Sequence, residues 1–177
     1  VLVKSTAVKE SNPEVAEARR MRIPVVRRAE MLAELMRLKS TVSIAGTHGK
    51  TTTTSLLAHV FRSAGRDPGF LVGGVMNNGN VSYAVGSGPR FIVEGDEYDT
   101  AYFDKRPKFL HYKPRTGIVT SVEFDHADIY ASMEDYREAF GQFAALIPEE
   151  GLLVLCADNP EVAALAAKTQ GRVSTYG

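Results

Sequence analysis

Gly46-Thr47-His48-Gly49-Lys50-Thr51-Thr52 sets two glycines ahead of a lysine and a run of hydroxyls. Residue types in that order suit a polyphosphate. Glycines let backbone N–H groups turn inward onto phosphate oxygens, and the start of a following helix adds a favourable dipole. A lysine in that place reaches the β- and γ-phosphates, and the threonine after it offers a hydroxyl to magnesium. The general loop pattern G-x-x-x-x-G-K-[ST] wants a glycine where Ile44 stands, which is a departure. The plainer alternative is a glycine turn followed by a helix with an ordinary surface lysine. Against it stands the position of Gly49-Lys50-Thr51-Thr52 at a strand-to-helix junction.

Carboxylates occur where such a loop would need them. Phe91-Ile92-Val93 runs into Glu94-Gly95-Asp96-Glu97, at the carboxyl end of an apolar strand, where ligands of open α/β sheets gather. Glu94 is a candidate magnesium ligand, whereas Asp96, Glu97 and Asp99 read more simply as a solvated acidic turn. The apolar run 117–122 likewise ends in Glu123-Phe124-Asp125-His126-Ala127-Asp128. Lone histidines are more often structural and magnesium prefers oxygen, yet three acids at a strand end make His126 a candidate site residue.

The elements that must position these groups follow from periodicity. Residues 41–45 form a β-branched and apolar strand broken at Gly46, and Leu56, Leu57, Val60, Phe61 and Ala64 recur at helical spacing until Gly65. Further strands are predicted at 70–72, 91–93, 117–121, 152–155 and 172–175, with helices at about 133–146 and 160–169. Strands alternating with helices predict an α/β fold with a parallel sheet covered on both faces. Before the loop, residues 1–3 end a strand, and Asn12 and Pro13 start a helix that runs to about Met21. A short extended piece follows at 24–26. An amphipathic helix carrying Ala29, Leu32, Leu35, Met36 and Leu38 then ends near Lys39. The Gly- and Asn-rich region 73–88 reads as loops or a hairpin.

Composition narrows the classes. The 177 residues are 44% hydrophobic and 24% charged, enough for one domain or a domain plus part of another. Lys plus Arg and Asp plus Glu are both 21, so there is no overall electrostatic footprint for nucleic acid or an anionic membrane. Apolar runs such as 69–76 and 151–157 fall short of the roughly 18 residues of a membrane span. Cys156, the one cysteine, gives no disulfide framework. Arg19, Arg20, Arg22, Arg27 and Arg28 read as solvated faces, although an anionic ligand could use some of them. The start at Val1-Leu2-Val3, without methionine or a leader pattern, suggests an interior piece of something longer.

In combination these motifs resemble the Mur ligase family, whose central ATPase domain carries G-T-x-G-K-[ST], so that Ile44 is no anomaly. Asn12-Pro13-Glu14-Val15, Ile23-Pro24-Val25 and Arg28-Ala29-Glu30-Met31-Leu32 resemble the end of the family's N-terminal UDP-binding domain. The stretch from Glu94-Gly95-Asp96-Glu97 through Phe103-Asp104-Lys105-Arg106, and Glu123-Phe124-Asp125-His126-Ala127-Asp128, resemble its tripeptide-adding branch. The resemblance implies a P-loop ATPase-type parallel sheet at 41–177, incomplete, preceded at 1–40 by the end of a Rossmann-like N-terminal domain, with the C-terminal domain absent. It assigns ATP to Gly46, Thr47, His48, Gly49, Lys50, Thr51 and Thr52, one Mg2+ to Thr51 and Glu94, and a second to His126; Lys50, Glu94 and His126 are the implied catalytic residues.

The implied reaction activates the muramoyl carboxylate of UDP-N-acetylmuramate as an acyl phosphate. A murein tripeptide, L-Ala-γ-D-Glu-meso-diaminopimelate, then attacks through its amine, in cytoplasmic peptidoglycan recycling; L-alanine is the alternative amine. Residues 136–143 contain no lysine, which removes the carbamoylated lysine that some relatives use. Without the missing domains the chain alone is expected not to complete ligation. A P-loop switch or kinase-like module is a competing class, and the N-K-x-D tetrapeptide of guanine-nucleotide switches does not occur.

Overall fold

Residues 41–45 are all buried, as a central strand covered on both faces requires, and the sheet is built outward from them. In the computed structural model, which describes residues 1–96, 99–101, 104–124, 130 and 132–177, the chain begins with β1 (Leu2–Lys4), α1 (Pro13–Arg20), β2 (Val25–Arg27) and α2 (Arg28–Met36). It continues through β3 (Ser40–Ala45), α3 (Lys50–Ser63), β4 (Gly69–Met76), β5 (Val81–Ala84) and β6 (Arg90–Glu94). Next come β7 (Asp99–Ala101), β8 (Asp104–Pro107), a 3-10 turn (Lys108–His111) and β9 (Thr116–Val119). The last elements are α4 (Met133–Ala145), β10 (Leu152–Cys156), α5 (Pro160–Ala164), a second 3-10 turn (Leu165–Lys168) and β11 (Arg172–Tyr176).

The main sheet has seven strands in the order β11-β10-β9-β3-β6-β4-β5. All its pairings are parallel except β5 on β4, an antiparallel hairpin at the edge. β3 connects through α3 to β4 on one side, whereas the chain after β6 crosses to β9 on the other side of β3. The carboxyl end of β3 is therefore a topological switch point, where a crevice opens between diverging connections. Ile44 lies opposite Glu94, and Ala45 opposite Val119, so the exits of β6 and β9 flank the glycine loop.

One face of the sheet packs Val42, Ile44, Phe70, Val72 and Ile92 under Ala58 of α3. The other packs Ala45, Val93, Leu153 and Leu155 under α4, with Phe109 from the first 3-10 turn edge-on to Phe143 at 5.0 Å. β1 and β2 pair in parallel around α1, a βαβ unit whose helix starts with the Asn12 side chain accepting from Glu14 N at 2.9 Å.

Four expectations need correction. β4 does not end at Val72; it extends to Met76 and forms the hairpin with β5, so Gly73 and Gly74 are strand residues. On α3 the buried residues are Thr54 and Ala58, while Leu56 and Val60 are exposed. Positions 54, 57, 58 and 61 make one helical stripe, and its small members allow the helix to approach the sheet closely. α2 stops at Met36, leaving Leu38 outside it and exposed. The last helix runs as α-helix only to Ala164 before tightening into 3-10.

Candidate active site

The loop after β3 is held by the exit of β9. Gly46 has φ 136°, a conformation open to glycine, and a Cβ there would collide with Thr120 Oγ1. Thr47 N donates to Ser121 O at 2.9 Å and His48 N to Ser121 Oγ at 3.0 Å. Thr120 Oγ1 donates to His48 O at 2.5 Å. Gly49, at φ 81°, turns the chain into α3 without a side-chain cap. The first turn of such a helix presents N–H groups and a positive dipole end to an anion. Lys50 Nζ folds over the loop, donating to Gly46 O at 2.5 Å and Thr47 O at 3.3 Å. Thr51 and Thr52 follow on the exposed first turn, and His48 is exposed with Nε2 3.7 Å from Glu123 Oε2.

Glu94 is aimed at this helix start from the end of β6. Its Oε2 accepts from Thr51 Oγ1 at 3.1 Å and its Oε1 from Gly73 N at 2.6 Å. A Cβ on Gly73 would stand 3.0 Å from Glu94 Oε2, so the carboxylate would have to shift to make room for it. The pair suits magnesium. Both donors are oxygens, and neighbouring ligands in an octahedron with bonds near 2.0–2.1 Å lie about 2.9 Å apart, close to the 3.1 Å found here. His126 lies outside the described residues, as do Glu97, Asp125 and Asp128.

Lys50, Glu94 and Gly73 open onto a cleft of about 520 Å³ that Ser5, Thr6, Arg28 and Leu32 also line, together with Asp96 and Tyr112. Arg28 is thus the one member of the arginine group from the sequence that lines this cleft. Burial pushes the Tyr112 phenol up to about 12, helped by Asp96 and opposed by Arg28. A folded pKa above the ordinary value near 10 means that stability is complete below pH 10 and is lost as pH rises toward 12. Tyr112→Phe should therefore lose less unfolding free energy than the unsubstituted protein between about pH 9 and pH 11, by on the order of 1 kcal/mol. Urea titrations at the two pH values measure this, and equal losses would contradict it.

Periodicity did not single out Thr120, Ser121 or Gly73, the groups that bond the loop and the carboxylate. Gly73-Gly74 inside an apolar run was the available signal, because glycine within a strand marks close approach. Residues 44–177 match the Mur ligase middle domain, and residues 1–40 match the Mur ligase family catalytic domain. The chain belongs to the Mur ligase family. Among relatives of this Mur ligase chain, a UDP-N-acetylmuramate--L-alanine ligase of Rhodospirillum centenum is 48% identical over 177 residues, covering 100% of this chain and 35% of its own. Another, from Anaeromyxobacter, is 46% identical and is covered to 37%.

The crystal structure of UDP-N-acetylmuramate:L-alanyl-gamma-D-glutamyl-meso-diaminopimelate ligase from Neisseria meningitides superposes with a TM-score of 0.85 at 36% identity, over 99% of this chain and 57% of that one. A UDP-N-acetylmuramate-alanine ligase from Thermotoga maritima gives a TM-score of 0.73 at 29% identity, over 92% of this chain and 36% of that one. The chain spans about a third of the length of these curated relatives. In this Mur ligase, Gly46→Ala should weaken nucleotide binding at least tenfold, because the collision with Thr120 and the positive φ must both be relieved by moving the loop. Calorimetry with MgATP checks it, and unchanged affinity would show that the loop conformation is not required.

Proposed function

We propose that the protein is an ATP-dependent ligase that joins the muramoyl carboxylate of UDP-N-acetylmuramate to an amine in peptidoglycan construction, a cytoplasmic reaction. The observation that carries the reading is the meeting of Lys50, Thr51 and Glu94 at the switch point, facing a cleft shared with residues 1–40. Residues 41–177 would hold ATP, through 46–52, and residues 1–40 would belong with the UDP-binding part. Thr51 and Glu94 would hold Mg2+, which when bound draws charge off the phosphate oxygens. His126 is retained as the proposed ligand of a second ion.

Bond by bond, a muramoyl carboxylate oxygen attacks the γ-phosphorus, and the bond to ADP breaks, giving the acyl phosphate. The amine nitrogen then attacks the acyl carbon, inorganic phosphate leaves, and the nitrogen gives up a proton. Lys50 supplies positive charge where negative charge spreads over the transferring group, and the loop amides keep that group in line.

For the amine, two readings have support. Curated relatives 46–48% identical over the whole chain are L-alanine ligases, which makes L-alanine the first reading. The tripeptide is supported by the 36%-identical Neisseria structure and by the stretch 98–114, of which Tyr98, Tyr102 and Phe103 lie outside the described residues. The test is kcat/KM for L-alanine and for L-Ala-γ-D-Glu-meso-diaminopimelate with the complete protein. A clear preference for L-alanine is the expected result, and preference for the tripeptide would move the assignment to the second reading.

A further inference from the structure

Tyr136 lies in α4, away from the cleft, yet its hydroxyl ends at the phosphate-binding loop. The residue is fully buried, with ring centroids 4.9 Å from Tyr130 and 5.1 Å from Phe140, both close to edge-on. Its OH stands 3.0 Å from Thr47 Oγ1, across 89 positions of sequence. Thr47 Oγ1 also donates to Glu123 O at 3.0 Å and accepts from Glu123 N at 2.9 Å.

Counting protons leaves two arrangements for the remaining bond. A threonine hydroxyl has one proton and two lone pairs. With the proton on Glu123 O, Thr47 accepts from Tyr136; with the proton on Tyr136, Thr47 donates to it, and the two hydroxyls are joined in either arrangement.

Thr47 is where this matters, because its carbonyl and that of Gly46 receive the Lys50 ammonium. We infer that Tyr136 is a positioning residue for the ATP site: its hydroxyl clamps Thr47, and so fixes the loop carbonyls that orient Lys50 and the register of the loop against the β9 exit. The ring belongs to the core and is rigid there, so the clamp transmits the position of α4 to the loop. The inference rests on the proposed reading of this loop as the ATP site.

The closing experiment uses Tyr136→Phe in the complete protein, which deletes the hydroxyl and leaves the ring packing. MgATP affinity by calorimetry should fall about 3- to 10-fold, the range for one neutral hydrogen bond, while KM for UDP-N-acetylmuramate changes by less than about twofold. Combined with Thr47→Val, the Tyr136→Phe change should weaken MgATP binding no further, because the shared bond is already gone. Unchanged MgATP affinity in Tyr136→Phe, penalties that simply add in the double variant, equal loss for both substrates, or failure of Tyr136→Phe to fold would each overturn the inference. If the unsubstituted protein binds no MgATP, the proposed function fails instead, which separates the two claims.

Discussion

Lys50→Ala in the complete protein is expected to lower kcat by at least about 10²- to 10³-fold, the size of effect seen when one oriented electrostatic group is removed from a site where charge develops. The fold should remain. The side chain is half-buried, and what it touches in the loop are the carbonyls of Gly46 and Thr47, at the mouth of the cleft where water can replace it. The ammonium is held over the loop by those carbonyls. Steady-state kinetics alongside circular dichroism measure the two halves of the expectation. Turnover within about threefold of normal, or loss of the folded spectrum, would remove Lys50 from its proposed role.

Glu94→Gln should raise the magnesium concentration for half-maximal rate by about tenfold or more, since a hard dication gains far more from a carboxylate than from a carboxamide. The substitution is informative because the amide oxygen can still accept from Gly73 N, now 2.6 Å from the carboxylate, so β4 and β6 keep their relation. Its amide group also leaves the Thr51 hydroxyl a partner, now 3.1 Å away. A magnesium titration of initial rates reads the shift, and a superimposable curve would leave Glu94 as a tie between strands. His126→Ala is expected to move the same titration.

The legible part of the fold was what local physics decides. The strand at Ser40–Ala45, the glycine break, and the helix starts at Asn12-Pro13 and Asn159-Pro160 follow from burial on both faces, from φ, and from capping, and each depends on adjacent residues. The loop and Glu94 were readable for the same reason, being short patterns at strand ends. Two kinds of information were hidden. Which stripe of α3 is buried depends on how closely the helix approaches Ile44 and Phe70, and hydrophobicity alone favoured Leu56 and Val60 over Thr54 and Ala58. The hydroxyls of Thr120, Ser121 and Tyr136 lie more than 70 positions from the loop residues they bond, and only the placement of β9 beside β3, with α4 packed on the sheet, brings them there. Composition places Gly73-Gly74 in a region of loops or a hairpin without showing that they are strand residues, because glycine has two uses. Here the use is close approach of the backbone to Glu94 and Thr51, within an extended strand.

The claim on which the rest depends is that the muramoyl carboxylate is activated by phosphoryl transfer at the Lys50 loop, and oxygen labelling tests it most directly. UDP-N-acetylmuramate carrying 18O in both oxygens of the muramoyl carboxylate would be turned over by the complete protein with ATP, magnesium and the preferred amine. Phosphate and amide product would then be analysed by mass spectrometry. Attack of the carboxylate on the γ-phosphorus gives one labelled oxygen in each phosphate released and one in each amide formed, whichever amine is used. Phosphate free of label at full amide yield would contradict activation as an acyl phosphate.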